Sequence, residues 1–224
     1  MIFIVTKGSL DSPKVEPIPP TPVRNIRLKV LSDQERIIAE ESLADLGCPL
    51  PGQNSYGIPR SNFDLQEALF AAVNHGVQLA VIRLLEYEPS LQLNARDYVT
   101  PYCKWKGFGE EPLVNAVRNN DIGMAAILVQ AGANPSLGYE SPLQHAIKTG
   151  NLEMAKLLLQ NGASLDRDGN PGRVPLILDA LFLDSGKDRS CKMVELLLDN
   201  GADIEAKDLD ERTLLVKAVS PSIG

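Results

Sequence analysis

Residues 150–164, GNLEMAKLLLQNGAS, are almost restated at residues 190–203, SCKMVELLLDNGAD. A third version, DIGMAAILVQAGAN, lies at 121–134. Met124, Met154 and Met193 coincide in the three, as do Leu128, Leu158 and Leu197, then Gly132, Gly162 and Gly201 and the alanine after each. Self-similarity at a spacing of about 20 to 50 residues marks a chain built of stacked units, so this reading decides the fold.

A fainter copy lies upstream, where ALFAAVNHGV (68–77) matches PLQHAIKTGN (142–151) and runs on into LAVIRLLEYEP, with Glu88 and Pro89 in place of Gly-Ala. Each unit reads as Pro-Leu-x-x-Ala, a short helix, a polar turn at Gly76, Asn120 or Gly150, and a second helix ending at Gly. Helices this short fall below the roughly 12 to 15 residues at which an isolated helix becomes even marginal, so stacking must hold them. The small Ala72, Ala116 and Ala146 let first helices approach their neighbours, and the Leu-rich runs fill the layer between units. Gly132, Gly162 and Gly201 suit the left-handed position just past a helix end.

The strings SPLQHAIKTGNLEMAKLLLQNGASLD and KMVELLLDNGADIEAKDLDERTLL resemble ankyrin repeats. The resemblance covers about residues 63–224 and implies an all-α solenoid of about four and a half helix-turn-helix units. It also implies a scaffold that binds a protein partner on its concave face and protruding turns, with no inherited active site and no cofactor.

Spacing divides the domain into repeats at about 63–98, 111–140, 141–173 and 174–211, with a half-repeat at 212–224. The family's repeat is about 33 residues, so excess length locates insertions at 99–110 and at 185–189, the latter between the two helices of its unit. Aligning Pro175 with Pro142 would bury Asp179 unpaired, at a cost of several kcal/mol. Aligning Ala180 with Ala146 leaves Asp179 exposed and is preferred. The half-repeat reads as a tolerated cap; a fragment, or an end covered by a second subunit in a homo- or hetero-oligomer, is the alternative.

Upstream, residues 1–30 include PKVEPIPPTP (13–22), whose five prolines exclude a helix and predict an extended arm. Residues 31–62 are read as a capping helix and loop. LSDQERIIAEESLADLG (31–47) opens with the capping box Ser32-x-x-Glu35 and closes at Gly47, and Ile37, Ile38, Leu43 and Leu46 are expected to cover the first repeat.

Composition narrows the function. With 29 acidic against 22 basic residues and a net charge of -7, the chain is unsuited to gripping a nucleic-acid backbone. No 18-residue apolar stretch spans a membrane, and MIFIVTKGSL is too short in apolar run for a secretory signal. Three cysteines, none in a C-x-x-C pair, point to a reducing compartment, cytoplasmic or nuclear, and to no metal site.

Two surfaces are candidates for contact. The stretch 98–112 around the first insertion holds Tyr98, Tyr102, Trp105 and Phe108 interleaved with Lys104 and Lys106, a density of aromatic anchors that suits a binding hot spot; packing on its own repeat is the alternative. The second is the line that first helices turn to the concave face, Asn115, His145, Asp179 and Lys217, with Asn74, His75, Arg118, Asn119, Lys148 and Thr149 beside it and Tyr139 in the neighbouring turn. A rival reading encloses a small-molecule or catalytic pocket between the insert and Arg118, His145 and Asp179, with His145 and Asp179 as an acid/base pair. No well-placed nucleophile or Gly-rich phosphate loop accompanies that pair. Asp166-Arg167-Asp168-Gly169-Asn170 opens like a calcium loop, but Pro171 and Ile177 occupy the positions where glycine and glutamate are required, so it reads as a turn. The three aligned methionines read as core, and Cys103 as an exposed thiol of no catalytic role.

Overall fold

A computed structural model describes residues 28–48, 50, 62–95, 111–137, 140–165, 175–181, 187–207, 210–213 and 215–216. These residues form nine helices: α1 (Asp33–Asp45), α2 (Asn62–Asn74), α3 (Gln78–Tyr87), α4 (Pro112–Arg118), α5 (Ile122–Gln130), α6 (Pro142–Lys148), α7 (Leu152–Gln160), α8 (Leu176–Leu181) and α9 (Lys187–Asp199). From α2 onward they pair as hairpins, α2 with α3, α4 with α5, α6 with α7 and α8 with α9. The hairpins stack in two layers. First helices follow one another as α2, α4, α6, α8, and second helices as α1, α3, α5, α7, α9.

The stack closes where the repeated phrase places its apolar residues. Met124, Met154 and Met193 and Leu128, Leu158 and Leu197 are fully buried, in one continuous core with Leu69, Leu84, Leu113 and Leu143. Ala72, Ala116, Ala146 and Ala180 are equally inaccessible, so the first-helix layer is close-packed through small side chains. Ala180 is buried as the preferred alignment expects, while Asp179, expected to be exposed, is half-buried.

Helix ends are specified locally. α4 and α6 start on Pro112 and Pro142, where a missing N–H costs nothing. Asp121 and Asn151 cap α5 and α7 by accepting from the Met124 and Met154 amides at 2.9 and 3.0 Å. The same caps tie units together: Gln78 Nε2 donates to Asp121 Oδ1 at 2.9 Å, and the Asn151 amide donates to Asn120 Oδ1. At C-termini the residue after the glycine donates back five residues, as in Ala133 N–H to Leu128 O (2.9 Å) and Ala163 N–H to Leu158 O (3.0 Å). Gly132 and Gly162 take φ of 105° and 85° there, and Asn120 serves the equivalent turn at φ 57°. α3 lacks this ending: at Glu88, where the glycine is replaced, φ is -135°.

α1 repeats the second-helix register, which the sequence reading did not identify. Ala39, Leu43, Gly47 and Cys48 hold the places of Met124, Leu128, Gly132 and Ala133; Leu43 is fully buried, and the Cys48 N–H donates to Leu43 O at 2.8 Å. The helix is thus the outer-layer member of a further, degenerate unit. Its capping box forms as expected, Ser32 and Glu35 satisfying each other's backbone N–H. The expected apolar cover differs: Ile37 and Ile38 are 56 % and 44 % exposed, because the side turned to α3 carries Ala39 and Leu43 and is entered by Leu31.

Residues 187–189, read as part of an inserted turn, belong to α9, which runs 13 residues where α5 and α7 run 9. The extra length lies before Met193, so residues 187–189 of the surplus lie in an added helical turn. Outside the hairpins, the turns are linked by side chains: Asn134 N–H donates to Asn94 Oδ1 and Ser164 N–H to Ser136 Oγ, both at 2.8 Å. Among the described residues the strand-type pairing is a single bridge between Lys207 and Thr213.

Candidate functional site

The first helices hold the candidate residues in register. Asn115, His145 and Asp179 each precede a fully buried alanine and are themselves half-buried, while Arg118, Asn119, Lys148 and Thr149 are exposed at the ends of α4 and α6. The spacing follows from helix geometry: one face of each six- or seven-residue helix is spent on the core, and the residue beside the alanine is turned away from it. Asn74 is half-buried and His75 exposed at the end of α2.

The residues come together across units. Gln144, buried on α6, donates through Nε2 to Asp179 Oδ2 at 3.3 Å on α8. His145 Nδ1 lies 3.8 Å from Glu140 Oε2, and the Lys148 ammonium pairs with the same carboxylate. Glu140 was not singled out in the sequence. It stands two residues before Pro142, and the turn into α6 folds it back over its own helix, an arrangement that linear spacing alone does not reveal.

Electrostatics follow from this convergence. Partial burial works to raise the Glu140 carboxyl, but the Lys148 hydrogen bond and charge, with His145 and Arg118, outweigh it and hold the group below the ordinary carboxylate value. Burial pushes the His145 imidazole down, Glu140 opposes that, and the Arg118 charge reinforces it; the net shift is downward, which favours the neutral ring at neutral pH. The carboxylate described beside His145 is that of Glu140, so the arrangement gives the histidine a structural and electrostatic partner in the turn just before its own helix. What the face offers chemically is a row of hydrogen-bonding and charged groups of mixed sign on rigid helices.

Tyr98, Tyr102, Trp105, Phe108, Tyr139, Lys217, Cys103 and the turn at 166–170 lie outside the described residues. Among the described residues no three His, Cys, Asp or Glu side chains are grouped to hold a metal, and no helix is long and apolar enough to cross a membrane.

A family model described as ankyrin repeats, in three copies, matches residues 113–208. No curated protein matches the chain. The matched segment takes in the hairpins α4–α5, α6–α7 and α8–α9, whose core, caps and glycine-closed ends have just been described, and residues 113–208 are ankyrin repeats.

Proposed function

We propose that the chain is a docking module without catalytic activity of its own, which holds a protein partner along the face presented by α4, α6 and α8 and by the adjoining turns. Ankyrin repeats are generally protein–protein interaction modules. The observation that carries the reading here is the row Asn115, Arg118, Asn119, His145, Lys148 and Asp179, polar groups of mixed sign set on helices whose other faces are locked in the core. Rigid presentation lowers the entropy lost on association, and polar groups at such a surface select the partner by charge and hydrogen-bond complementarity. The aromatic insert at 98–112 extends the contact as its anchor, and Tyr139 adds to it from the neighbouring turn.

Affinity capture from native extract tests the reading with three baits: wild type, a version lacking residues 99–110, and Arg118→Ala/Lys148→Ala. Loss of the same captured protein from both altered baits, with thermal stability changed by no more than about 1 kcal/mol, is the expected result. Equal capture by all three would remove the assignment.

A further inference from the structure

α1 has the weakest apolar hold of the N-terminal outer-layer helices. Its fully buried side chains are Ala39 and Leu43, against five buried residues in α3. Leu31, just before it, joins Ala39 and Ile82 in a small cluster separate from the main core, with Leu79 and Ile127 at its edge. Its principal helical neighbour is α3.

Charge takes the place of the missing area. Arg83 of α3 reaches Glu40 of α1, with Nε at 2.8 Å and Nη2 at 2.6 Å from Oε1. Glu86 of α3 accepts from the Leu31 backbone N–H at 3.2 Å, meets Arg36 Nε at 3.4 Å and lies 3.6 Å from Arg83 Nη1. Two adjoining side chains of α3 therefore hold the entry to α1, its first turn and its middle. These side chains are about 20 % exposed for Glu40, Arg83 and Glu86 and 38 % for Arg36, open enough for salt to act on them.

We propose that α1 is a displaceable end plate: it leaves α3 as a unit while the α2–α9 stack stays folded, and the Arg36–Glu86–Arg83–Glu40 network is its latch. Nearest-neighbour stacking makes such partial opening available, because among the described helices α1 packs mainly on α3 alone, whereas α3 also packs on α2 and α5. Release uncovers Ile82 and Leu79, an apolar strip bordered by the charges of Arg83 and Glu86.

Hydrogen exchange on the full chain, followed by mass spectrometry at about 0.1 and 1 M salt, between which the screening length falls from about 10 to 3 Å, tests this. The α1 amides are expected to exchange at least about 100-fold faster than those of α5 and α7, and about tenfold faster again at high salt, with α5 and α7 unchanged. Glu40→Gln, which leaves α3 intact, is expected to reproduce the effect of salt; Arg83→Ala is expected to do so more strongly. Exchange of α1 in step with α5 and α7, or α1 protection that neither salt nor Glu40→Gln alters, overturns the proposal.

Discussion

The hairpins α6–α7 and α8–α9 carry the same phrase and differ in what covers them. Met154 and Met193, and Leu158 and Leu197, are fully buried in both. Ala155 of α7 is fully buried too, whereas Val194 at the same place on α9 is half-exposed. Beyond it Ile204, Leu215 and Val216 are exposed, Leu215 at 72 %. Contacts inside a hairpin are therefore fixed by the phrase itself, while contacts between hairpins exist only where a neighbour is supplied.

The largest effect separates these two kinds of contact. Leu158→Ala removes a fully buried side chain and is expected to cost about 2 to 5 kcal/mol, against no more than about 1 kcal/mol for Val194→Ala. Urea denaturation of both variants measures this, and comparable losses would mean that another surface covers α9. Next comes the helix-end glycine of the middle unit. Gly162 has φ 85° and open space where a Cβ would stand, so Gly162→Ala pays backbone strain alone, about 1 to 2 kcal/mol, readable from the same denaturation curves. Asn151→Ala, which takes the cap from the Met154 amide and the bond to Asn120, is expected to cost about 1 kcal/mol and to show first as faster amide exchange in the first turn of α7.

The smallest effect is a pH dependence peculiar to α6. His145 and Glu140 are both held below their ordinary values of 6.5 and 4.5, so on acidification the unfolded chain takes up each proton before the folded one does. The contribution of His145 is present above its ordinary value and fades as pH falls below it; that of Glu140 is present above 4.5 and fades in turn below that. Between about pH 7.5 and 5.5, wild type should lose more stability than His145→Gln, since only the first must protonate an imidazole. Denaturation of the two proteins at both pH values measures the difference, and parallel losses would detach His145 from its charged neighbours.

Much of the architecture was legible because its signals are local. Proline at a helix start, a side-chain cap, and glycine where the backbone turns left-handed can be read one unit at a time, and Asn120 could be placed with Gly76 and Gly150 for the same reason. The register of α1 was also present, in the spacing of Leu43 and Gly47, but no Pro-Leu-x-x-Ala phrase precedes it in the sequence and it was read only as a cap. The site was legible in part: helical phase put Asn115, His145 and Asp179 in line, while Glu140 escaped because its position depends on how a turn folds back.

By itself the sequence determined that the chain is a stack, since short helices with aligned Leu, Met and Gly have no other way to bury their apolar faces. It also determined which face of each hairpin is core and which is free. Only the tertiary structure decided that Ile37 and Ile38 stay in solvent while charges secure α1, that residues 187–189 of the surplus become helix, and that His145 meets Glu140. Periodicity follows from covalent order and local backbone energetics, whereas these outcomes depend on which groups approach through space, where partial burial and neighbouring charge set the balance.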